Sequence, residues 1–442
     1  MFKELFNPAA GGLSLGTNAL WLTAARIAPM AAGFLFWILA ALLLVPAQLG
    51  LSSAIVAAAL LTVQIGMLGV GQATLSLLPA QDDGRRRLIA TSLLTVGLSS
   101  LVAAIVVLNI TRAVGPGVGQ AWDDPAVTLA FLAAAFFAST AYQLDHVNVA
   151  LSRADLALAR SVLQSFIQLA VLIVCLTAGY RSVIAVVGAV ALGAVASVGL
   201  GVRQIHRAGL GAPWKEGIQF REVSGLLRPA LRNYPLMLAD RAPGYLLPLI
   251  VAATLSTSAT AAWYMVWMLG TAVSFVPQSA GFSLQAKLAA PGPCHSIIGQ
   301  ALKMSLLVTV AAGGTLLGVG PFVLRALGPQ YAPYWVLLPL LIPALILTCV
   351  TQIYYAVCRA DGHSAAATGV AVLAAAIAVV PAAAVIQNFA LPGLTVLWLG
   401  AQVTAALIAG WRLRAMVART GGERTDQRPD DEIRGVDELN AP

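Results

Sequence analysis

The stretch Arg232-Asn-Tyr-Pro-Leu-Met-Leu-Ala-Asp240-Arg241-Ala-Pro-Gly-Tyr-Leu-Leu-Pro-Leu-Ile-Val-Ala-Ala253 sets an acid and a base side by side in a segment otherwise apolar enough to cross a membrane. Its length suits a spanning helix, because about 20 residues rising ~1.5 Å each cover ~30 Å of hydrocarbon. An ionisable side chain at that depth costs about 2.5–3.5 kcal/mol or more, so it faces protein or a wet cavity and marks a functional path. Asp240 and Arg241 are therefore the first candidate site residues. Consecutive helical residues point about 100° apart, so the two need not pair with each other.

Segments of this kind recur along the chain. Of its 442 residues 59% are hydrophobic and 10% charged, and the mean hydropathy is +0.85, far from the balance of a soluble domain. The pattern predicts an all-α polytopic membrane protein with about twelve transmembrane helices. They fall at about 17–43, 50–78, 88–111, 126–150, 160–179, 183–202, 230–253, 260–283, 301–325, 335–358, 364–388 and 393–413. The first run lacks a small-residue cleavage site and leads straight into the second, so it is expected to be retained rather than removed as a signal peptide. Cys175, Cys294, Cys349 and Cys358 are scattered and make neither a disulfide framework nor a metal motif.

The net charge of +8 is spread over span ends and does not form the patch a nucleic acid would need. An even number of spans puts both termini on one side. If that side is cytoplasmic, the inner loops hold Arg85, Arg86, Arg87, Arg153, Arg203, Arg207, Lys215, Arg221, Arg228, Lys287 and Arg359, and the outer ones only Arg112, Arg181 and Arg325. Positive-inside asymmetry thus predicts a multi-pass protein of the cell (inner) membrane with both termini cytoplasmic. The longest inner connection carries Trp214, Ile218 and Leu226 at roughly helical spacing, as a helix lying on the membrane surface would. The expected organisation is an N-terminal six-helix lobe (1–202), an interfacial cytoplasmic linker (203–229), a C-terminal six-helix lobe (230–414) and a disordered cytoplasmic tail (415–442).

An internal repeat fits that division. Arg153-Ala-Asp155 ends the fourth span and Arg359-Ala-Asp361 the tenth, 206 residues apart (359 − 153). Arg26 and Arg241, each followed closely by a proline, are 215 apart (241 − 26). Six spans per copy preserve orientation, which relates the copies by an axis along the membrane normal. Arg26 lies about nine residues into span one, Arg241 nine beyond Arg232 and Asp145 eight before Arg153, which puts all three roughly 12–14 Å from the cytoplasmic edge. His146 and Asn148 make the inner part of span four more polar still.

The first pair of spans, Arg26-Ile-Ala-Pro-Met through Val45-Pro-Ala-Gln-Leu-Gly50 and Gln64-Ile-Gly-Met-Leu-Gly-Val-Gly-Gln-Ala-Thr-Leu-Ser-Leu-Leu-Pro79, resembles the MOP superfamily of flippases. Asp240-Arg241 opening the second half and Leu327-Gly-Pro-Gln-Tyr331 before span ten add to the likeness, which is nearest to the polysaccharide-exporter (Wzx-like) branch. The resemblance implies two six-helix lobes around a central cavity that opens alternately to each side. It implies a polyprenyl-pyrophosphate-linked oligosaccharide as partner, and a cationic cavity to which Arg26 and Arg241 correspond. The span count departs from the fourteen of the lipid II flippase branch, and the MATE drug exporters share the superfamily.

The chemistry of the candidates can be weighed directly. A guanidinium stays charged and gives paired hydrogen bonds to phosphate, which suits Arg26 and Arg241 to a pyrophosphate; tying helices together through a carboxylate is their plainer use. Asp145 with His146, and Asp240, are candidates for handling a coupling ion, H+ or Na+. Gln64 and Gln352 offer uncharged donors and acceptors to sugars, or hydrogen bonds between helices. There is no phosphate-binding Gly-x4-Gly-Lys-Ser/Thr loop, no cofactor is implied, and the chain is not read as an enzyme. Two further readings stand beside the flippase: a cation-coupled drug antiporter, and a membrane glycosyltransferase using Asp123-Asp124 in the loop before span four.

Overall fold

A computed structural model of the chain describes residues 15–78, 84–114, 116–151, 153–210, 220–231, 234–288 and 294–423. The described residues are almost entirely helical and contain no strand. Ten helices are long and apolar enough to span a membrane, and two shorter apolar ones, Pro29–Leu43 and Ser364–Val379, bring the set to the expected twelve.

The first half comprises α1 (Leu15–Leu43), α2 (Pro46–Gly66), α3 (Val70–Leu77), α4 (Arg85–Val114), α5 (Pro116–Ala121), α6 (Pro125–Ala150), α7 (Ala154–Thr177) and α8 (Val183–Ile205). A short amphipathic helix, α9 (Phe220–Ala230), leads to the second half: α10 (Tyr234–Thr254), α11 (Thr257–Leu288), α12 (Cys294–Leu327), α13 (Leu338–Ala360), α14 (Ser364–Val379) and α15 (Ala382–Glu423). Packing repeats between the halves. α1 lies on α7 as α10 lies on α14, α6 lies on α8 as α13 lies on α15, and α2 lies on α4 as α11 lies on α12. The halves meet chiefly where α2 packs on α10 and α11.

The register of this repeat differs from the one the short motif suggests. Ala154 begins α7 and Ser364 begins α14, a displacement of 210 (364 − 154), and the caps Leu151 and Asp361 repeat it. Arg153 therefore precedes a helix while Arg359 lies in the last turn of one. The Arg-Ala-Asp match is a local coincidence, whereas the repeat itself is carried by the helix order.

Two expected spans are broken. The segment expected as one span at about 50–78 stops at Gly66, because Leu68 (φ 47°) and Gly69 (φ 74°) are both left-handed and cannot continue a helix. Gly69 is also pressed against the linker, since a Cβ there would meet the Ala230 carbonyl oxygen at 2.3 Å. In the other, Ala390 (φ 51°, ψ −149°) separates the first two turns of α15 from the rest. Pro392, which needs no amide partner, opens the helix beyond the break. The residues expected to close the eleventh span thus form the short leading piece of α15. That helix runs on to Glu423, past the expected end near Arg414, and the tail beyond it lies outside the described residues.

The linker helix α9 packs on α3 and α4. Leu226 and Ala230 are buried there with Val63 and Met67 of the first half, so this side of α9 covers protein rather than lipid. Trp214 and Ile218 lie outside the described residues.

The core shows where the cavity is. Helix directions place Arg85–Arg87, Arg153, Arg203, Arg228, Lys287 and Arg359 at one end of the bundle, the basic face, and Arg112, Arg181 and Arg325 at the other. In the half remote from the basic face a single apolar core joins both lobes, running from Trp37 and Leu49 through Phe131 and Val186 to Trp263, Leu341 and Trp398. In the half near the basic face it divides into two separate cores. One holds Leu93, Leu144 and Val198 of the first lobe, the other Leu284, Tyr354 and Ala409 of the second. The lobes are thus fused at the remote end and have separate cores on either side of a central cavity nearer the basic face, where α10 still bridges them: Tyr234 donates to the Ile65 carbonyl at 2.7 Å and Met237 packs on the first-lobe core.

Candidate site in the interlobe cavity

At the remote end the closing contacts are tight. Trp37 of α1 meets Tyr264 of α11 with ring centroids 4.5 Å apart. Gly50 at the start of α2 lies so close to α11 that a Cβ would fall 1.5 Å from the Thr257 carbonyl oxygen. Trp263, Trp267 and Trp398 continue this aromatic layer within the second lobe.

Between that layer and the basic face, the first lobe contributes Tyr142 and Asp145 of α6. The Tyr142 phenol lies near enough to Tyr245 and Arg241 of α10 for electrostatic interaction, which places it across the interlobe space from the second lobe. It is 45% accessible, as expected of a residue on the wall of a wide cavity. Asp145 has the same character, with 37% of its side chain accessible. Its carboxylate is bonded to Arg160 of α7, which is 1% accessible and also donates to the Ala141 carbonyl at 3.1 and 3.2 Å. The charge of Asp145 is therefore met from within its own lobe. His146 turns elsewhere: its Nδ1 lies 2.9 Å from the Tyr142 carbonyl, and its ring covers Gly71 of α3, where a Cβ would approach it to 2.7 Å. Asp145 and His146, adjacent in sequence, thus make different contacts, although the imidazole still acts electrostatically on the carboxylate.

The second lobe contributes a denser cluster. Asp240 of α10 accepts hydrogen bonds from Nε2 of Gln352 on α13, at 3.0 and 3.1 Å. Arg241 is close enough to feel Asp240 and Arg359, yet it makes no hydrogen bond or ion pair among the described residues. Arg359 donates from Nε to the Tyr355 carbonyl at 3.1 Å and lies over the Phe282 ring, 5.7 Å from its centroid. Asp240 and Arg241 come from α10, Gln352 and Arg359 from α13, the two helices whose packing on α14 and α15 holds the lobe together, and Phe282 comes from α11.

Asp145 is offset by Arg160, and one of the two arginines beside Asp240 is offset by that carboxylate. The described side chains at this level therefore carry a surplus of one positive charge. A guanidinium with no hydrogen-bond partner among the described residues, facing a cavity under reduced dielectric, is suited to an anion, above all phosphate.

Of the residues singled out from sequence, Asp240, Arg241 and Gln352 come together, and Asp145 faces them from the other lobe. Gln64 is buried within α2 and has no hydrogen-bond partner among the described residues. Arg26 falls within α1, and its side chain lies outside the described part of the structure. Arg160, Arg359, Tyr142 and Tyr245 are additions. Arg160 escapes a span drawn from 160, because α7 begins six residues earlier, and Arg359 escapes as a loop residue because α13 runs to Ala360. The loop acids have plain structural roles. Asp124 caps α6 by accepting from the Ala126 amide at 2.8 Å, and Asp123 pairs with Arg112 at 3.4 Å. Among the described residues no cluster of three metal-binding side chains occurs.

The arrangement of helices matches solved membrane proteins across nearly the whole chain. Lipid II flippase MurJ, in an inward closed conformation, is similar with a TM-score of 0.67 and 11% identity, over 89% of this chain and 87% of that one. The eukaryotic MATE transporter AtDTX14 is similar with a TM-score of 0.64 and 15% identity, over 92% and 99%. A MOP-superfamily transporter from Pyrococcus furiosus, described as having a binding pocket of reverse polarity, is similar with a TM-score of 0.60 and 15% identity, over 90% and 95%. The chain shares the fold of these proteins. At these identities the likeness is one of fold alone, and it agrees with the two-lobe architecture the sequence led us to expect. No protein-family model matches the sequence, and no curated protein matches it at a significant level.

Proposed function

We propose that the chain is a flippase that carries a polyprenyl-pyrophosphate-linked oligosaccharide across the plasma membrane by alternating access, for the building of cell-surface polysaccharide. The observation that supports this most is the cation surplus around Arg241, which makes no hydrogen bond among the described residues. A pyrophosphate takes up this surplus, with Arg359 beside Arg241 as a second donor. Gln352, Asp240 and Tyr142 then present polar groups to the sugars. Arg26, on the first helix of the other lobe, is a further contact in this reading. The basic face is cytoplasmic by the positive-inside rule, so the cavity described here is the one that receives cargo from the cytoplasm. The lobes rock about the α2–α11 contact to expose it on the other side. The organisation we adopt is a lobe ending near 202, a linker to 229 and a second lobe to about 414.

The alternative, a cation-coupled drug antiporter, is favoured by one observation: Asp145 and Asp240 face the same cavity from opposite lobes. It is disfavoured by their engagement, Asp145 with Arg160 and Asp240 with Gln352. The two readings separate in one preparation of proteoliposomes. The flippase predicts transfer of a fluorescent polyprenyl-pyrophosphate glycan between leaflets and no exchange of organic cations for protons. Cation–proton exchange without glycan transfer would reverse the assignment.

A further inference from the structure

A second site lies on the outside of the first lobe, away from the interlobe cavity. Between α7 and α8, near the basic face, is an open groove of about 440 Å³. Its two ends differ in chemistry. The deeper end is walled by Val162, Leu163 and Phe166 of α7 and Leu200 of α8, and the end at the basic face by Arg203, Gln204 and Arg207. Phe166 is 66% accessible. It stands twelve residues into α7, roughly 18 Å from that helix's start, and so lies well within the hydrocarbon layer. Arg203 and Arg207 are one turn apart at the other end of the groove. The α-helix gives way there to the π-helical turn His206–Leu210, a local widening that is common at functional sites.

The groove also holds an unmet polar group. Gln204 is 5% accessible. Its Nε2 donates to the Leu156 carbonyl at 3.3 Å, which fixes the orientation of the amide, while its Oε1 has no partner. An acyl chain fits the apolar wall, and a phosphate fits the pair of arginines.

We propose that this groove binds an anionic glycerophospholipid of the surrounding bilayer, with its phosphodiester between Arg203 and Arg207 and one acyl chain along Val162 and Phe166. The proposal is independent of the cargo. It rests on the amphipathic order of the groove along the membrane normal and on its charge, which favours phosphatidylglycerol over a zwitterionic lipid of the same chains. Each basic side chain near the headgroups contributes about fivefold to the binding of an anionic lipid.

Native mass spectrometry of the full-length protein, delipidated in a neutral detergent and titrated with phosphatidylglycerol or phosphatidylcholine, tests the site. The expected result is preferential retention of at least one phosphatidylglycerol. Retention should fall about fivefold in Arg203→Ala and about twentyfold or more in the Arg203→Ala/Arg207→Ala double variant. Ala159→Trp, which fills the groove and leaves both charges, should lower retention of both lipids. Equal retention of the two lipids by the parent protein would overturn the proposal. So would unchanged retention in the double variant, or a loss confined to the arginine variants with none in Ala159→Trp, which would mean a surface charge effect without a seated chain. Displacement of phosphatidylglycerol by equimolar polyprenyl phosphate would instead assign the groove to a different lipid and count against it.

Discussion

Removing the carboxylate of Asp145 and removing the guanidinium of Arg160 should have unequal costs, although the two form one ion pair. Arg160 is 1% accessible, keeps only the Ala141 carbonyl if Asp145 is lost, and already has an unpaired Nε. Asp145→Leu strands that cation inside the lobe, at about 3–5 kcal/mol. Arg160→Leu strands instead a carboxylate that is 37% accessible. Water in the cavity hydrates it, and the cost falls to about 1–2 kcal/mol once that screening is counted. The double variant D145L/R160L leaves no stranded charge. Because an ion pair can often be exchanged for apolar groups of similar volume at little cost, it should be more stable than Asp145→Leu alone. The assay is equilibrium unfolding of the four proteins in mixed micelles, read as a double-mutant cycle. Equal costs for the two single variants, or a double variant that loses the sum of both, would refute the placement of Asp145 on the cavity wall and Arg160 in the interior.

Three further outcomes are expected. Gly50→Ala puts a Cβ 1.5 Å from the Thr257 carbonyl and forces α2 from α11 at the closed end. It should destabilise the protein by about 1–3 kcal/mol and raise labelling of a cysteine at position 264 from the side remote from the basic face. Asp124→Ala removes the cap of α6 and should cost about 1 kcal/mol in unfolding while leaving transport intact. Loss of transport with unchanged stability would instead restore Asp124 as a reactive group. Gln352→Leu removes both hydrogen bonds to Asp240 and frees that carboxylate to pair with Arg241. The expected result is a fall in transport close to that of removing Arg241 itself, and a rescue of most of it by Asp240→Asn.

The fold was legible because the bilayer imposes length and hydropathy on every span, and these need no knowledge of neighbours. All twelve expected spans have counterparts, and the misplaced boundaries have local causes. The break after Gly66 is set by backbone angles at Leu68 and Gly69 that no apolar pattern encodes, and the break at Ala390 sits in an equally apolar run. The site was half legible. Asp240 and Arg241 stand out because a charge in an apolar run is conspicuous wherever it falls. Arg160 and Arg359 do not, because they lie near helix ends, where a basic residue reads as a topology signal. Pairing was not legible at all. Asp240 takes hydrogen bonds from Gln352, 112 residues away, while the adjacent Arg241 acts on it only electrostatically, and Asp145 is bonded to Arg160 on another helix. Helix geometry separates neighbours in sequence and lobe packing joins strangers.

The central claim is that Arg241, backed by Arg359, holds an anionic headgroup in the cavity. It is tested most directly by translocation of a polyprenyl-pyrophosphate glycan in proteoliposomes containing matched amounts of folded parent, Arg241→Lys, Arg241→Ala and Arg241→Ala/Arg359→Ala proteins. Loss of charge-assisted hydrogen bonds to phosphate predicts a fall of about ten- to a hundredfold for Arg241→Ala. A smaller fall is expected for Arg241→Lys, which keeps the charge without the fork, and no measurable transfer for the double variant. Translocation at the parent rate by the double variant would contradict the claim.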